Sequence, residues 1–215
     1  MKNELPHLID RITTNKTEFF REPAHFEYLY QTVLPELTGG RYRRLSIWSA
    51  GCSTGEEPYT LAMVFDDFSK QHPDNRFDYN ILATDISDEV LTKAERGIYK
   101  EDLVNQLPMA HKKNYFLRSK DRTRQLARIV PEIRKKVTFR SMNLMDDFQL
   151  GKTMDIIFCR NVIIYFDKKI QEVLLNRMCR CLKSRGYIFM GHSEALVGQN
   201  LPLHSVAPTV YRKAT

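Results

Sequence analysis

The chain has 215 residues, of which 42% are apolar and 27% are charged, a composition typical of a globular domain and unlike that of a disordered chain. Its 33 basic and 26 acidic residues leave a formal net charge of +7, which indicates an acidic partner such as a nucleic acid, an anionic lipid or an acidic protein surface. No run approaches the roughly 18 apolar residues of a membrane span, and the charged N-terminal residues are not those of a signal peptide. We therefore expect no direct membrane insertion.

Strand-like and helix-like stretches alternate along the chain, which predicts an α/β fold with a mostly parallel central sheet. In chain order, the expected strands are residues 45–50, 79–84, 137–142, 154–159 and 187–190, with a last hydrophobic piece at 209–212. The expected helices are residues 57–70, 88 to about 97, and 168–183.

Capping signals set the expected helix boundaries. Ser87 or Asp88 caps the second helix, and Gly97 ends it. Asp167 caps the third helix, and Gly186 is expected to break it. The apolar positions expected to face the core are Leu61, Val64, Phe65 and Phe68 on the first helix and Ile170, Val173, Leu174 and Met178 on the third.

A basic segment interrupts this alternation. Residues 111–136 hold ten lysines and arginines against two acids. Within the segment, RQLARIV (124–130) has partial strand-like alternation, so we predict a small β insertion here rather than a linker.

The cysteines and histidines indicate the compartment and argue against a metal site. No cysteine pair has the C-x-x-C spacing of zinc or redox sites, so we expect buried free thiols and a reducing, cytoplasmic location. The histidines are scattered without H-x-x-x-H spacing, and we expect no metal.

Polar or glycine corners follow four of the predicted strands. These corners contain Gly51, Asp85, Asn143 and Asn161. In open α/β sheets the ligand lies beyond the carboxyl ends of the strands, near the point where strand order reverses. The four corners are therefore expected to converge on one crevice.

The first corner, SAGCSTGEEPY (49–59), indicates what that crevice binds. Its Gly51-x-x-x-Gly55 pattern is neither a dinucleotide fingerprint nor a phosphate-binding loop, and Glu56 and Glu57 stand where a phosphate would lie. Asp85, at the end of the second strand, is the usual position of an acid that binds ribose hydroxyls. A cationic nucleoside without phosphate fits these acids, and S-adenosylmethionine has that description.

A structural alternative exists for the same acids. Thr54-x-x-Glu57 matches a capping box, in which Glu57 only accepts a backbone hydrogen bond, and Glu56 would simply favour the helix N-terminus. Asp85 favours the cofactor interpretation of Glu57, while the role of Glu56 stays open.

Several motifs together resemble the CheR family of chemotaxis methyltransferases, which transfer methyl from S-adenosylmethionine to receptor glutamates. The matching stretches are TTNKTEFFRE (13–22), WSAGCSTGEEPYTLAM (48–63), ATDIS (83–87), AERGIY (94–99), NL (143–144), FCRNVIIYFD (158–167) and GHSE (191–194). Their combination is specific and spans residues 13 to 194.

The resemblance implies a Rossmann-like class I methyltransferase fold over residues 41–215, with the β insertion at about 111–136. It also implies that residues 1–40 form an N-terminal helical segment that packs on the cofactor site. The implied cofactor ligands, with Gly51 from the turn, are Asn15, Thr17, Arg21, Gly51, Glu57, Asp85, Asn143, Leu144, Asn161 and Val162. Family members usually carry several helices before the TTN motif, and only 12 residues precede it here. We therefore expect that most of that helical domain is missing from this sequence. Because S-adenosylmethionine is the implied methyl donor, S-adenosylhomocysteine is the expected product.

Two residues are predicted to orient the substrate carboxylate, Arg21 by charge-assisted hydrogen bonds and Tyr165 by its hydroxyl. The alternative for Arg21 is that it holds the carboxylate of the methionine moiety of the cofactor. The alternative for Tyr165 is an aromatic packing residue. The expected partner is the cytoplasmic domain of chemoreceptors, and in some family members the β insertion binds a receptor C-terminal peptide. The family implies a monomer.

Two other functions are alternatives for this sequence. A nucleic-acid methyltransferase would suit the positive charge, but its Asp/Asn-Pro-Pro-Tyr corner is replaced here by RNVI (160–163), so we expect no nucleic acid. A non-catalytic scaffold that binds S-adenosylmethionine stays open.

Overall fold

The computed structural model describes residues 17–39, 43–196 and 201–215. Seven strands in this part form one sheet in the order β6-β2-β1-β7-β8-β10-β9. The strands are β1 (Arg43–Ala50), β2 (Phe77–Asp85), β6 (Val137–Ser141), β7 (Met154–Cys159), β8 (Leu182–Met190), β9 (Leu203–Ala207) and β10 (Val210–Lys213). The first five pair in parallel, whereas β10 is antiparallel to both β8 and β9. Since β9 is antiparallel to β10, it runs in the same direction as β8, and the sheet is mostly parallel as predicted.

The helices cover both faces of this sheet. They are α1 (Pro23–Tyr28), a π-helical turn (Leu29–Val33), α2 (Leu34–Thr38), α3 (Glu56–Gln71), α4 (Asp88–Arg96), α5 (Glu101–Asn105), α6 (Met109–Tyr115), α7 (Pro131–Arg134) and α8 (Lys168–Cys181). One core cluster contains α1, α2 and α3 with one face of the sheet, and a second contains α8 with the other. Because both faces are covered, every residue of β7 is buried.

Several local signals act as the sequence predicts. Ser87 caps α4 through its hydroxyl, and Gly97 ends that helix in the left-handed conformation. Asp167 caps α8 by accepting the backbone N–H groups of Lys169 and Ile170. Of the residues that the structure describes, none belongs to a helix long and apolar enough to cross a membrane.

The predicted end of the last long helix is wrong. Strand β8 begins at Leu182, which pairs with Met154, and Gly186 lies inside that strand rather than breaking a helix. The register shifts here, with Arg185 at φ 63°, and a Cβ on Gly186 would lie 2.9 Å from the Lys183 carbonyl oxygen. Gly186 is therefore required by a close backbone approach in an irregular strand.

Val173 does not face the core as predicted, because the residue is 52% exposed. The buried face of α8 is formed by Leu174, Leu175 and Met178, and Val173 lies about 100° away from Leu174 around the helix. An apolar residue beside a buried stripe can thus remain on the surface.

A small antiparallel sheet with the order β3-β5-β4 confirms the predicted β insertion. Its strands are β3 (Ile98–Lys100), β4 (Phe116–Arg118) and β5 (Leu126–Ile129). The sheet thus includes a strand upstream of residue 111, because β3 supplies one edge through pairs such as Ile98 with Arg128. Tyr115 anchors the insertion to α3 through hydrogen bonds from its hydroxyl to Asp66 and Asp67.

Candidate active site

The strand order reverses between β1 and β7, so the crevice predicted for the ligand lies beyond the carboxyl ends of these two strands. Gly51 follows β1 and has φ 75°. A Cβ on Gly51 would lie 2.4 Å from Cγ2 of Val162, which follows β7. Two of the predicted cofactor residues therefore meet at the switch point, and only glycine fits at the first of them.

Asp85 holds the turn after β1 against the end of β2. Its Oδ2 accepts the backbone N–H of Ser53 at 2.8 Å, and its Oδ1 accepts that of Ser87 at 3.1 Å. The Thr84 carbonyl accepts the N–H groups of Gly51 and Cys52 in the same region. The carboxylate predicted to bind ribose hydroxyls thus also fixes the geometry of the glycine turn.

The acids at the start of α3 do not form a capping box. Gly55 is the N-cap, in the left-handed conformation, and Thr54 donates instead to both carboxylate oxygens of Glu56 at 2.9 and 2.7 Å. Burial raises the pKa of Glu56, and hydrogen bonds from the side chains of Thr54 and Thr17 oppose this rise. Glu56 is therefore a buried group that hydrogen-bonds both Thr54 of the turn and Thr17 of the N-terminal segment.

Glu57 belongs to a network built around Arg160. Its Oε1 accepts the Ser49 hydroxyl at 2.7 Å, and its Oε2 lies 3.4 Å from the Arg160 guanidinium. The same guanidinium lies 3.3 Å from Glu22 and donates to the backbone carbonyl of Arg21. Burial raises the pKa of Glu57, and Arg160 and Ser49 oppose that rise by favouring the charged form.

The segment before α1 folds over this network. Phe19 packs edge-on against Tyr99 and Phe116, with ring centroids 4.9 and 5.4 Å away. The Phe20 backbone N–H donates to the Thr60 hydroxyl at 3.2 Å. Arg21 is half-buried next to the network. The segment thus lies against the start of α3, whereas Asn15 is outside the described residues.

The corner after β7 is held by Glu194, a residue to which sequence reasoning gave no role. The Glu194 carboxylate is 4% exposed and accepts four backbone N–H groups. Its Oε2 accepts those of Asn161 and Gly191 at 2.8 and 2.7 Å, and its Oε1 accepts those of Ile163 and Ile164 at 2.8 and 3.2 Å. One buried carboxylate therefore shapes the loop that contains Asn161, Val162 and Tyr165.

The remaining predicted residues differ in their surroundings. The Asn161 amide lies 3.5 Å from Glu22. Asn143 uses its side chain to bond Asp146 and the Met145 N–H, and Leu144 is buried in the core. Tyr165 ends a short 3₁₀ turn (Ile163–Tyr165) and is 44% exposed. The corner thus leads from the buried end of β7 to a tyrosine on the surface.

Arg160 is the other residue that sequence reasoning missed. It is 6% exposed, and its guanidinium lies over the ring of Phe26, 5.3 Å from the centroid. A lone arginine directly after the apolar run of β7 is an available signal, because a buried cation requires nearby anions. Which anions it meets depends on residues 22 and 57, which are far away in the sequence.

The electrostatics suit a ligand without phosphate. Asp85 bonds the turn, Glu56 lies buried beside it, and Glu57 shares Arg160 with Glu22, so that this cation is already paired with carboxylates. No lysine or arginine occurs in residues 51–57. An anionic ligand would therefore be repelled at this helix N-terminus, whereas hydroxyl groups and positive charge are favoured.

Comparisons with known proteins identify the family of this chain. A family profile described as "CheR methyltransferase, SAM binding domain" matches residues 15–212. The chain is 44% identical over 215 residues to a chemotaxis protein methyltransferase of Borreliella burgdorferi, with 98% of this chain and 74% of that protein covered. It is 42% identical over 209 residues to chemotaxis protein methyltransferase 2 of Pseudomonas aeruginosa, with 96% and 72% covered. Among solved structures it is similar to the glycopeptide N-methyltransferase MtfA complexed with sinefungin, with a TM-score of 0.46, 10% identity and coverage of 87% of this chain and 60% of that chain. By its profile match and curated relatives, this chain belongs to the CheR methyltransferase family and contains the S-adenosylmethionine-binding domain of that family.

Proposed function

We propose that this methyltransferase transfers a methyl group from S-adenosylmethionine to glutamate side chains of chemoreceptors, forming glutamate methyl esters. One observation carries the proposal: residues 161–165 run within one turn from the cofactor crevice to an exposed tyrosine. A reacting centre that close to the surface is suited to a side chain presented by a protein. The two relatives above are named chemotaxis protein methyltransferases, which supports a receptor as that protein.

The residues of the crevice fit the cofactor. Gly51 allows the turn after β1 and the loop after β7 to approach closely at the switch point, because a Cβ on Gly51 would overlap Val162. Asp85 is proposed to accept ribose hydroxyls, and Glu57 is proposed to add negative charge near the cationic cofactor. The proposed set is completed by Thr17, Arg21, Asn143, Leu144, Asn161 and Val162, together with Asn15 from outside the described residues. When bound, S-adenosylmethionine supplies an electrophilic methyl group.

Methylation of a glutamate carboxylate requires little acid–base catalysis from the enzyme. A glutamate has a pKa of about 4.3, so it is already ionised at neutral pH and needs no general base. Arg21 is proposed to hold one oxygen of that carboxylate by charge-assisted hydrogen bonds, and the Tyr165 hydroxyl to hold the other. Alignment and exclusion of water can then supply several kcal/mol of the rate enhancement.

The position of Arg21 supports this role. Its backbone carbonyl accepts a hydrogen bond from Arg160, which also pairs with Glu22 and Glu57. The backbone of Arg21 is therefore tied to the same network that borders the crevice, so the side chain starts from a fixed point.

The β insertion offers a surface for an acidic segment of the receptor. Strand β5 carries exposed Arg128, and Arg124 lies just before it. Either edge of the three-stranded sheet could accept an added strand, with the arginines favouring an acidic peptide. We propose that the cytoplasmic domain of the receptor contacts the enzyme at two places, with its substrate glutamate at the crevice and with an acidic peptide at the β insertion. The enzyme is proposed to act as a monomer.

The deciding experiment is an incubation of the chain with S-adenosylmethionine carrying a labelled methyl group and membranes that contain chemoreceptors. We expect label on the receptor that is released by mild base, which is diagnostic of a methyl ester. Base-stable label would contradict glutamate as the acceptor. Cofactor binding without transfer to any receptor would favour the scaffold alternative.

A further inference from the structure

Glu22, His25 and His192 bring three ligand atoms together beside the Arg160 network. These atoms all lie within 4.8 Å of one another. His25 Nδ1 is 3.4 Å from Glu22 Oε2, and His192 Nε2 is 3.7 Å from the same oxygen. The sequence gave no sign of this cluster, because its members are separated by up to 170 positions and have no metal-ligand spacing.

Hydrogen bonds determine which nitrogen of His25 faces the cluster without a proton. The Thr209 hydroxyl donates to the Pro208 carbonyl at 2.8 Å, so its oxygen acts as acceptor toward His25 Nε2, also at 2.8 Å. Nε2 therefore carries the proton, and the lone pair of Nδ1 points toward Glu22.

Two buried atoms of the cluster lack hydrogen bonds in the part of the chain that the structure describes. They are His25 Nδ1 and Glu22 Oε2. The His25 residue is 2% exposed. Glu22 Oε2 has the Arg160 guanidinium 3.3 Å away, but no donor among the described residues reaches the Nδ1 lone pair of His25, which lies 3.4 Å from that carboxylate oxygen. A buried nitrogen lone pair facing a carboxylate oxygen is an unfavourable arrangement, because both atoms are electron-rich.

We propose that Glu22, His25 and His192 form a binding site for a divalent first-row metal ion such as Zn²⁺. Two imidazole nitrogens and one carboxylate oxygen are a ligand set that such ions accept, with further positions open to water. Ligands of tetrahedral Zn²⁺ are about 3.3 Å apart, close to the 3.4 Å and 3.7 Å that separate the two histidines from Glu22 Oε2. The His192 side chain is 61% exposed, so its ring has room to close the remaining distance.

The hydrogen bonds around His25 match those of a metal ligand. Histidines that bind metals commonly donate the N–H of the other ring nitrogen to an oxygen, which fixes the ring. In His25 this role falls to Nε2 and the Thr209 hydroxyl. The ring is also held edge-on against Phe189, with centroids 5.7 Å apart, so Nδ1 is already oriented toward the site.

Arg160 sets a limit on the affinity. Its guanidinium lies 3.3 Å from Glu22 Oε2 and repels a cation at that oxygen. Glu57 lies 3.4 Å from the same guanidinium and offsets part of its charge, and the Arg21 carbonyl accepts one of its N–H groups. The site is therefore expected to bind more weakly than a closed structural zinc site.

A metal ion here would join two parts of the chain. Glu22 and His25 belong to the start of α1, whereas His192 follows β8. The ion would connect the N-terminal segment to the loop that Glu194 organises, and it would stabilise the folded chain by mass action.

The test is a calorimetric titration of the full chain, free of any tag, with Zn²⁺, together with Co²⁺ absorption spectra and thermal unfolding with and without Zn²⁺. We expect one site whose affinity falls at least about tenfold in His192→Ala. Zn²⁺ should raise the Tm of the original chain but not that of His192→Ala. The visible absorption bands that indicate nitrogen ligands of Co²⁺ should appear with the original chain and be lost in the variant.

His204→Ala is the matched control, since His204 is an exposed histidine of β9 outside the cluster. Because His192 is largely exposed, its removal leaves the fold intact, and His192→Asn provides a second variant. Equal Zn²⁺ affinity in the original chain and His192→Ala, or an equal loss in His204→Ala, would overturn the proposal.

Discussion

The Glu194 carboxylate holds Asn161 in a left-handed backbone conformation. Its Oε2 accepts the Asn161 N–H at 2.8 Å, and Asn161 has φ 58°. The same carboxylate accepts three further N–H groups from Gly191, Ile163 and Ile164. A single charged group thus satisfies backbone donors that follow β7 and β8 and would otherwise be unpaired.

Glu194→Gln should therefore both destabilise the chain and weaken cofactor binding. The amide keeps the shape but replaces one acceptor oxygen with a donor that faces N–H groups, at an expected cost of about 3 kcal/mol in the free energy of unfolding. Urea unfolding and calorimetric titration with S-adenosylmethionine measure the two effects. Glu172→Gln on the exposed face of α8 is the control, and equal stability of the two variants would contradict this role for Glu194.

Gly51→Ala tests the contact between β1 and β7. Gly51 and Gly151 both have positive φ, 75° and 71°, but a Cβ would meet Val162 at 2.4 Å in the first case and nothing within 4 Å in the second. Both substitutions should cost about 1 kcal/mol from the backbone conformation, and only Gly51→Ala should add a steric cost and reduce cofactor affinity. If the two variants have similar unfolding free energies and cofactor affinities, the close contact between Gly51 and Val162 affects neither stability nor cofactor binding.

Arg160→Met should release the N-terminal segment from the crevice. The substitution leaves Glu22 and Glu57 without their shared cation, and breaking a buried ion pair in this way typically costs about 3 to 5 kcal/mol. The free energy of unfolding in urea and the rate of limited proteolysis near residue 21 report the change. Arg180→Met, on the exposed surface of α8, serves as the control and should leave both quantities unchanged.

His25 should make stability fall as the pH drops below about 6.5. Its folded pKa of about 4 lies below the ordinary value of 6.5, so the unfolded chain binds more protons in this interval and is favoured by acid. The loss between pH 7 and pH 5 should be about 2 kcal/mol. Glu57 and Glu56 have raised pKa values and act in the opposite direction, so the contribution of His25 is isolated by comparison with His25→Gln. An unchanged pH slope in that variant would refute the assignment, and His204→Gln controls for a histidine on the surface.

Arg21→Ala and Tyr165→Phe should lower methyl transfer more than stability. Each removes a proposed hydrogen bond to the substrate carboxylate, which corresponds to a loss of about 10- to 100-fold in turnover. Initial rates with receptor membranes and unfolding free energies separate the two effects. The controls are Arg180→Ala and Tyr30→Phe, which remove a guanidinium and a phenolic hydroxyl at positions away from the crevice. If the site variants transfer methyl groups as fast as these controls, Arg21 and Tyr165 do not orient the substrate.

Much of the architecture is encoded in short stretches of sequence. Strand β7 occupies the predicted residues 154–159, because a continuous apolar run is required where both faces of a parallel sheet are covered. Gly97 and Asp167 act as predicted, since caps depend on the backbone within a few residues. In contrast, β9 was not predicted, because an edge strand with exposed residues has weak hydrophobic patterning.

The sequence by itself determined the α/β class, the corners that carry Gly51, Asp85, Asn143 and Asn161, and the acidic character of the glycine turn, because each follows from local patterning. Tertiary structure alone decided the partners of Arg160, the four hydrogen bonds of Glu194 and the meeting of Glu22, His25 and His192. Arg160 is more than 100 residues from Glu22 and Glu57 in the sequence, and Glu194 is 30 to 33 residues from three of its four partners. These contacts exist only once the sheet order has placed the ends of β1, β7 and β8 side by side. A charged residue within an apolar stretch of sequence predicts that an oppositely charged partner is needed if the residue is buried. Only the packed chain determines which residue that partner is.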